Sequence, residues 1–160
     1  MAPLTADRNT PFIMGENREG PVAAAQMIYA GALVMRNAAG FLVRGSAATD
    51  LIGVGRAQVR VDNSAGSAGD AQLQYRPGTF RFANSASADE ITIADIGKPC
   101  FVVDDQTVAK TDGSGARSPA GFVEMIDDHG VWVRMDEAAT RTFADLSAAV
   151  DDLAAAVAAL

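Results

Sequence analysis

The residue most capable of chemistry in this sequence is His129, the only histidine among 160 residues. It directly follows Asp127 and Asp128, and a histidine beside a carboxylate can serve as a general acid or base. No second histidine, nucleophile-elbow serine or GK[ST] phosphate loop accompanies it. The run DDHG also has the composition of a hairpin tip. We therefore interpret His129 as a solvent-exposed turn residue and predict no catalytic residue and no enzymatic activity.

The residues that commonly bind metals do not form a convincing set either. Cys100 is the only cysteine, and one cysteine with one distant histidine does not make a tetrahedral zinc site. Its apolar surroundings indicate a small buried residue rather than a reactive thiol. The stretch DNSAGSAGD (62–70) offers oxygen ligands from Asp62, Asn63 and Asp70, but it lacks the ligand spacing and closing glutamate of an EF-hand loop. We interpret it as a Gly/Ser turn and predict no metal and no cofactor.

The composition argues against several classes of partner. The formal net charge is −7 with scattered arginines, whereas nucleic-acid binding needs a clustered basic face. No apolar run approaches the ~20 residues of a membrane span. The N-terminus lacks the apolar stretch of a signal peptide, and a single cysteine fits a reducing cytosol. We therefore expect a protein that is made in the cytoplasm and binds neither nucleic acid nor membrane.

Short strands separated by turns are the main elements that the sequence predicts between residues 21 and 135. Apolar stretches such as MIYAG, ALVMR, FLVRG, AQLQYR and FRF alternate with turns rich in Gly, Asn and Asp. The clearest hairpin is GFVEMIDDHGVWVRM (121–135). LIGVGRAQVRV (51–61) reads as one long strand, in which Gly53 and Gly55 indicate a bulge or a close backbone approach. Eight or nine such strands without a βαβ rhythm predict a mainly β fold, a small antiparallel sandwich or barrel.

Residues 1–20 differ from this β domain and are predicted to form an extended N-terminal arm. They contain several proline and glycine residues and show no clear hydrophobic period. Phe12, Ile13 and Met14 nevertheless form a short apolar cluster within the arm. Because a free arm would gain nothing from such a cluster, we predict that these three side chains dock on another surface.

The segment 136–160 is predicted to be a C-terminal helix with its own apolar seam. Within FADLSAAVDDLAAAVAAL (143–160), apolar residues recur at spacings of three and four, as in a heptad repeat. The a positions are Phe143, Val150 and Val157, and the d positions are Leu146, Leu153 and Leu160. Thr142 with Asp145 fits a capping box, and Asp136 is an alternative, earlier cap.

Two arrangements of this helix stay open, namely packing on its own β domain and association with other copies. We favour self-association because the a/d pattern runs unbroken through the last eighteen residues of the sequence. Val at a with Leu at d favours dimers. The Ala and Ser residues at the e and g positions widen the apolar face and favour trimers. We predict a homotrimer, with a dimer as the alternative; the choice of three copies rests also on the family resemblance described next.

The stretch DIGKPCFVVDDQTVAKTDGSGARSPAGFVEMIDDHGVWVRM (95–135) resembles the capsid decoration, or cement, proteins of tailed bacteriophages and prophages. PVAAAQMIYAGALVMRNAAGFLVRG (21–45), VGRAQVRVDNSAGSAGD (54–70), FRFANS (80–85) and DRNTP (7–11) are similar to the same family. The resemblance implies a β-rich virion protein on the outer surface of the capsid. Such proteins bridge neighbouring major capsid proteins and reinforce the lattice, often as trimers with an extended arm. The heptad-patterned helix is not part of the family pattern.

A second function of a different class stays open, a head fibre or adhesion module that binds a host-surface glycan or protein. It would need an exposed aromatic platform, for which Tyr29, Tyr75 and Trp132 are available. Trp132 lies between two valines in a predicted strand, so it should point to the opposite face from both.

Overall fold

The computed structural model describes residues 4–11 and 13–160 and shows a mainly β protein with one α-helix in that part of the chain. The helix, α1, spans Glu137–Ala158. Short 3₁₀ helices lie at Ser87–Asp89 and Ile93–Asp95. The strands are β1 (Arg18–Pro21), β2 (Gln26–Ile28), β3 (Leu33–Asn37), β4 (Leu42–Arg44), β5 (Leu51–Ala57), β6 (Val61–Asn63), β7 (Gln72–Arg76), β8 (Gly78–Asn84), β9 (Pro99–Val102), β10 (Thr107–Ala109), β11 (Pro119–Asp127) and β12 (Gly130–Met135).

Five strands close into a barrel in the order β10–β8–β12–β11–β9, with β9 pairing back to β10. The pairing is antiparallel except between β8 and β10, which run parallel. Strand β12 shows how the barrel fills: Val131 and Val133 are fully buried, and Trp132 between them points outward. The other buried residues of this core include Phe82, Cys100, Val102, Val108, Val123 and Met135.

The remaining strands form an antiparallel sheet in the order β1–β7–β5–β3–β4 and a two-stranded ribbon of β2 and β6. Strand β3 connects the two parts of the molecule, because Leu33 and Met35 pack into the barrel core while Val34 packs into a second core. This alternation follows from the period of two along a strand. The second core also holds Val22, Ile28, Leu42, Val54, Leu73 and Tyr75.

Glycines in β5 allow close backbone approaches, to the barrel at Gly53 and to the neighbouring strand β7 of the same sheet at Gly55. A Cβ atom added at Gly53 would lie 2.0 Å from the carbonyl oxygen of Ala120 in β11. At Gly55, a Cβ would lie 2.3 Å from the carbonyl oxygen of Arg76. The β3–β5 register also shifts next to these residues. The predicted bulge or close backbone approach in this strand is therefore confirmed, and both features are present.

The prediction of a mainly β protein with antiparallel strands and a C-terminal helix is confirmed, and the structure contains both a barrel and an open sheet. The hairpin at 127–130 forms, with Asp127 paired to Gly130. The turn between β3 and β4 forms at Asn37 and Gly40, where Gly40 adopts a φ of +91°.

Two local predictions were wrong. The stretch 51–61 is not one strand, because β5 ends at Ala57 and β6 begins at Val61 in a different sheet. The helix does not start with a capping box at Thr142. Asp136 is the N-cap, and Thr142 lies inside the helix, where its hydroxyl donates to the Ala138 carbonyl. In addition, β1 begins at Arg18, so the last residues assigned to the arm pair with β7.

Candidate interaction surfaces

The first turns of α1 are anchored to the β domain. The Asp136 carboxylate accepts a hydrogen bond from the Ala139 amide at 3.1 Å, which satisfies a free donor at the helix start. Glu137 forms an ion pair with Arg36 of β3, with a shortest N–O distance of 2.7 Å. The carboxylate raises the pKa of Arg36 against the opposing effect of burial, which is the larger single influence. Thr140 is fully buried. No sequence pattern indicates the pair of Arg36 and Glu137, because the two residues are 101 positions apart in the chain.

Phe143 ends the anchored part of the helix. Its ring packs edge-to-face on Phe101 of β9 and Phe122 of β11, with centroid distances of 6.3 and 6.2 Å. The residue was predicted as the first position of an oligomer seam. In the protomer it is half-buried against its own barrel instead, so its ring is already occupied.

The other five predicted seam residues are exposed, and together they form what we call the apolar stripe. Their exposed fractions run from 56% at Val150 to full exposure at Leu160. Every residue from Asp145 to Leu160 is exposed, so the helix leaves the β domain after Ala144. At 1.5 Å per residue the helical part of this protruding segment, which ends at Ala158, is about 21 Å long. The stripe consists of Leu146, Val150, Leu153, Val157 and Leu160.

The predicted docking residues of the arm are also exposed where the structure describes them. Ile13 is 76% exposed and Met14 is 81% exposed, whereas Phe12 lies outside the described residues. Residues 4–11 and 13–17 contain no helix or strand. The segment just after Met14 is tied to the β domain, since Glu16 forms an ion pair with Arg76 and the Asn17 side chain accepts a hydrogen bond from Gln58 at 3.0 Å.

The hairpin tip holds a hydrogen-bond cluster that sequence reasoning did not find. The Asp127 carboxylate accepts from the indole N–H of Trp132 at 2.7 Å and from the backbone N–H of His129 at 2.8 Å. These bonds, with the guanidinium of Arg81 at 3.5 Å, lower the pKa of Asp127. Arg81 also stacks over the Trp132 ring. The His129 side chain is exposed, in agreement with the predicted turn position.

In the loop 62–70, which was compared above with a calcium-binding loop, the polar side chains make hydrogen bonds within the loop and to the neighbouring backbone. Asp62 accepts from the backbone and hydroxyl of Ser64, the hydroxyl bond being the larger cause of its lowered pKa. The buried Asn63 amide donates to the carbonyls of Ala23 and Ser67. Within residues 4–11 and 13–160, no group of three or more His, Cys, Asp or Glu residues is placed to hold a metal ion.

Cys100 is fully buried in the barrel core, and burial raises the pKa of its thiol to about 12. Among the described residues, no helix has the length and apolar character needed to cross a membrane. Comparison of the chain with protein families, curated protein sequences and solved structures finds no match. The surfaces above must therefore be interpreted from their own geometry.

Proposed function

We propose that this protein is a structural virion protein that binds the outer surface of a phage head and reinforces the lattice of the major capsid protein. The sequence resemblance over residues 7–135 supports this proposal. The observation that carries it is the exposure of large apolar side chains in the arm. Ile13 and Met14 are largely exposed, although they lie only two or three residues from the Glu16–Arg76 tether.

The position of this tether gives the arm a defined role. Ordering a free segment costs on the order of 1 kcal/mol per residue, which favourable contacts must offset. Glu16 and Asn17 fix the end of the arm next to the β domain, so the entropy cost of docking falls mainly on the residues before them. Burial of Ile13 and Met14 on a capsid protein would contribute about 1.5–3 kcal/mol per side chain.

The test uses expanded heads assembled from the major capsid protein of the same phage and lacking this protein. We expect saturable co-sedimentation of the wild type at physiological salt. The double variant Ile13→Asp, Met14→Asp should bind at least tenfold more weakly with an unchanged melting temperature. Ile93→Asp is the matched control, because Ile93 is 79% exposed on the barrel side and lies far from the arm in sequence. No saturable binding of the wild type would refute the function, whereas equal binding of both variants would refute only the role of the arm.

The adhesion alternative has one observation in its favour, an exposed aromatic side chain. Tyr29 is 53% exposed, and the Arg60 guanidinium lies 5.2 Å from its ring centroid. Trp132 suits a glycan platform less well, because it is half-buried and its N–H donates to Asp127. Specific binding on a glycan array that Tyr29→Ala or Trp132→Ala abolishes, with the fold intact, would favour this function.

A further inference from the structure

One face of α1 packs on the β domain, and a different face carries the apolar stripe. Successive residues of an α-helix are rotated by about 100°, so directions around the axis can be compared. Thr140, Phe143 and Ala144 contact the β domain, where the first is buried and the others are half-buried. Phe143 lies at the boundary with the stripe, on the same side of the helix as Val150 and Val157, whereas Thr140 and Ala144 point away from it. The apolar stripe is centred roughly 120° around the helix from that face. The chain's own domain therefore does not cover the stripe and leaves room for another helix to approach it.

The charges of the protruding helix define what can cover the stripe. Its acidic residues are Asp145, Asp151 and Asp152, and no lysine or arginine follows Arg141. All three aspartates point about 100° or more away from the centre of the stripe. An anionic lipid surface would not attract such a helix, because surface binding relies on basic residues. Identical helices can meet through the stripe and leave every aspartate in water.

The residues beside the stripe favour more than two helices. The e and g positions are Ser147, Ala149, Ala154 and Ala156. These residues are small and uncharged. Together with the stripe they form an uncharged surface that covers about half of the helix circumference. A two-stranded coiled coil covers mainly the a and d positions, while a three-stranded bundle also covers part of the e and g positions. A third helix therefore buries more of this surface.

The position of Phe143 favours parallel helices. In a parallel bundle, each residue of the stripe meets its own copies, which gives five Leu or Val layers. In an antiparallel pair, a positions meet d positions, and Leu160 would have to meet Phe143. The Phe143 ring is already packed between Phe101 and Phe122, so the antiparallel arrangement loses its end layers.

We propose that the apolar stripe joins three copies of this chain in a parallel helical bundle, with the β domains outside the bundle at its N-terminal end. The partner of this surface is thus a second and a third copy of the same protein. The proposal does not depend on what the arm binds. Three arms on one side of a bundle would give a capsid-binding particle a higher apparent affinity through effective concentration.

The test is disulfide formation by a Leu160→Cys variant treated with a mild oxidant. The native thiol should not cross-link in the folded protein, because Cys100 is fully buried, and its one thiol per chain is subtracted when thiols are counted after denaturation. In a parallel trimer the three introduced thiols lie together. One pair forms a disulfide and one thiol stays free, so denatured samples should contain cross-linked dimers with about a third of the introduced thiols unreacted. In an antiparallel pair with Leu160 opposite Phe143, the two introduced thiols would be about 25 Å apart, too far for a disulfide.

The control is Ala155→Cys, which places the thiol on the side of the helix away from the stripe and should show at least tenfold slower cross-linking. Light scattering of the wild type should give three times the protomer mass. A monomeric wild type at all concentrations, equal cross-linking of the two variants, or an oligomer whose Leu160→Cys variant does not cross-link would each overturn the proposal. Complete consumption of the introduced thiols in a two-chain particle would overturn the three-stranded arrangement.

Discussion

The substitution Leu153→Asp tests the helix interface at its centre. Leu153 is the middle residue of the apolar stripe and is 64% exposed in the protomer. Replacing it removes no contact inside the β domain, since the helix leaves the domain after Ala144. We therefore expect the domain to keep its melting temperature while the assembly dissociates.

The size of the effect follows from the exposed area and the charge. Full burial of a leucine side chain contributes about 1.5–3 kcal/mol. Because Leu153 is about two thirds exposed in the protomer, about two thirds of that energy would be gained on assembly. Replacing Leu153 in three copies therefore removes about 3–6 kcal/mol of association free energy. Three carboxylates would also meet at one layer, and two charges ~6 Å apart repel by ~3 kcal/mol at an effective dielectric constant of about 20. A total above ~4 kcal/mol weakens association by at least about a thousandfold.

The assay is light scattering over a range of protein concentrations, combined with thermal unfolding. Ala155→Asp is the matched control, because it adds the same charge two residues away on the opposite side of the helix. It should remain trimeric with only a small loss of helix stability. If Leu153→Asp stays trimeric, the stripe is not the interface. If instead it lowers the melting temperature of a monomeric β domain by more than a few degrees, the helix packs on its own domain in solution.

Two further predictions concern the β domain. Gly53→Ala should destabilise it by about 4 kcal/mol or more, equivalent to a fall in melting temperature of about 10 °C, because the added Cβ would lie 2.0 Å from the Ala120 carbonyl oxygen. The control is Gly31→Ala, which should cost only about 1 kcal/mol from its positive φ, because nothing lies within 4 Å of the added Cβ. Equal losses of stability in the two variants would contradict the close-approach argument. Because the fold lowers the pKa of Asp127, the charged carboxylate stabilises the fold at any pH above its pKa in the unfolded chain, which is near 4. This stabilisation is lost as the pH falls through the pKa of Asp127 in the folded protein. The melting temperature of Asp127→Asn should therefore differ most from that of the wild type near pH 7 and approach it towards pH 3, and a difference that stays constant with pH would rule out this linkage.

The local elements of this fold could be predicted from sequence because their signals lie close together in the chain. The hairpin 121–135 has alternating apolar residues around an Asp- and Gly-rich tip, and β11 and β12 pair as expected. Closure of the barrel had no such signal. It depends on the parallel pairing of β8 with β10, in which Thr107 lies opposite Ala83. The two residues are more than twenty positions apart in the chain, so their pairing depends on how the whole domain packs, and no short sequence pattern predicts it.

Prediction of the interaction surfaces was limited in a similar way. The apolar cluster that contains Ile13 and Met14 within a Pro- and Gly-rich arm, and the heptad spacing of the stripe, indicated apolar residues that the structure leaves exposed. The tether through Glu16 and the cluster around Asp127 have no signal in the sequence, because nothing there marks Arg76 and Arg81 as their partners. Ion pairs have no periodicity, so only the three-dimensional fold brings their members together.

The helix shows why one sequence pattern left two arrangements open. A heptad repeat reports which residues share a face, and Phe143 shares a face with Val150 and Val157 whether that face meets a barrel or another helix. Thr140 is buried and Ala144 is half-buried against the β domain, and both point away from the stripe. The helix therefore uses one face for its own domain and leaves the other free. A helix that needed its stripe for its own core would not expose five large apolar side chains along about 21 Å.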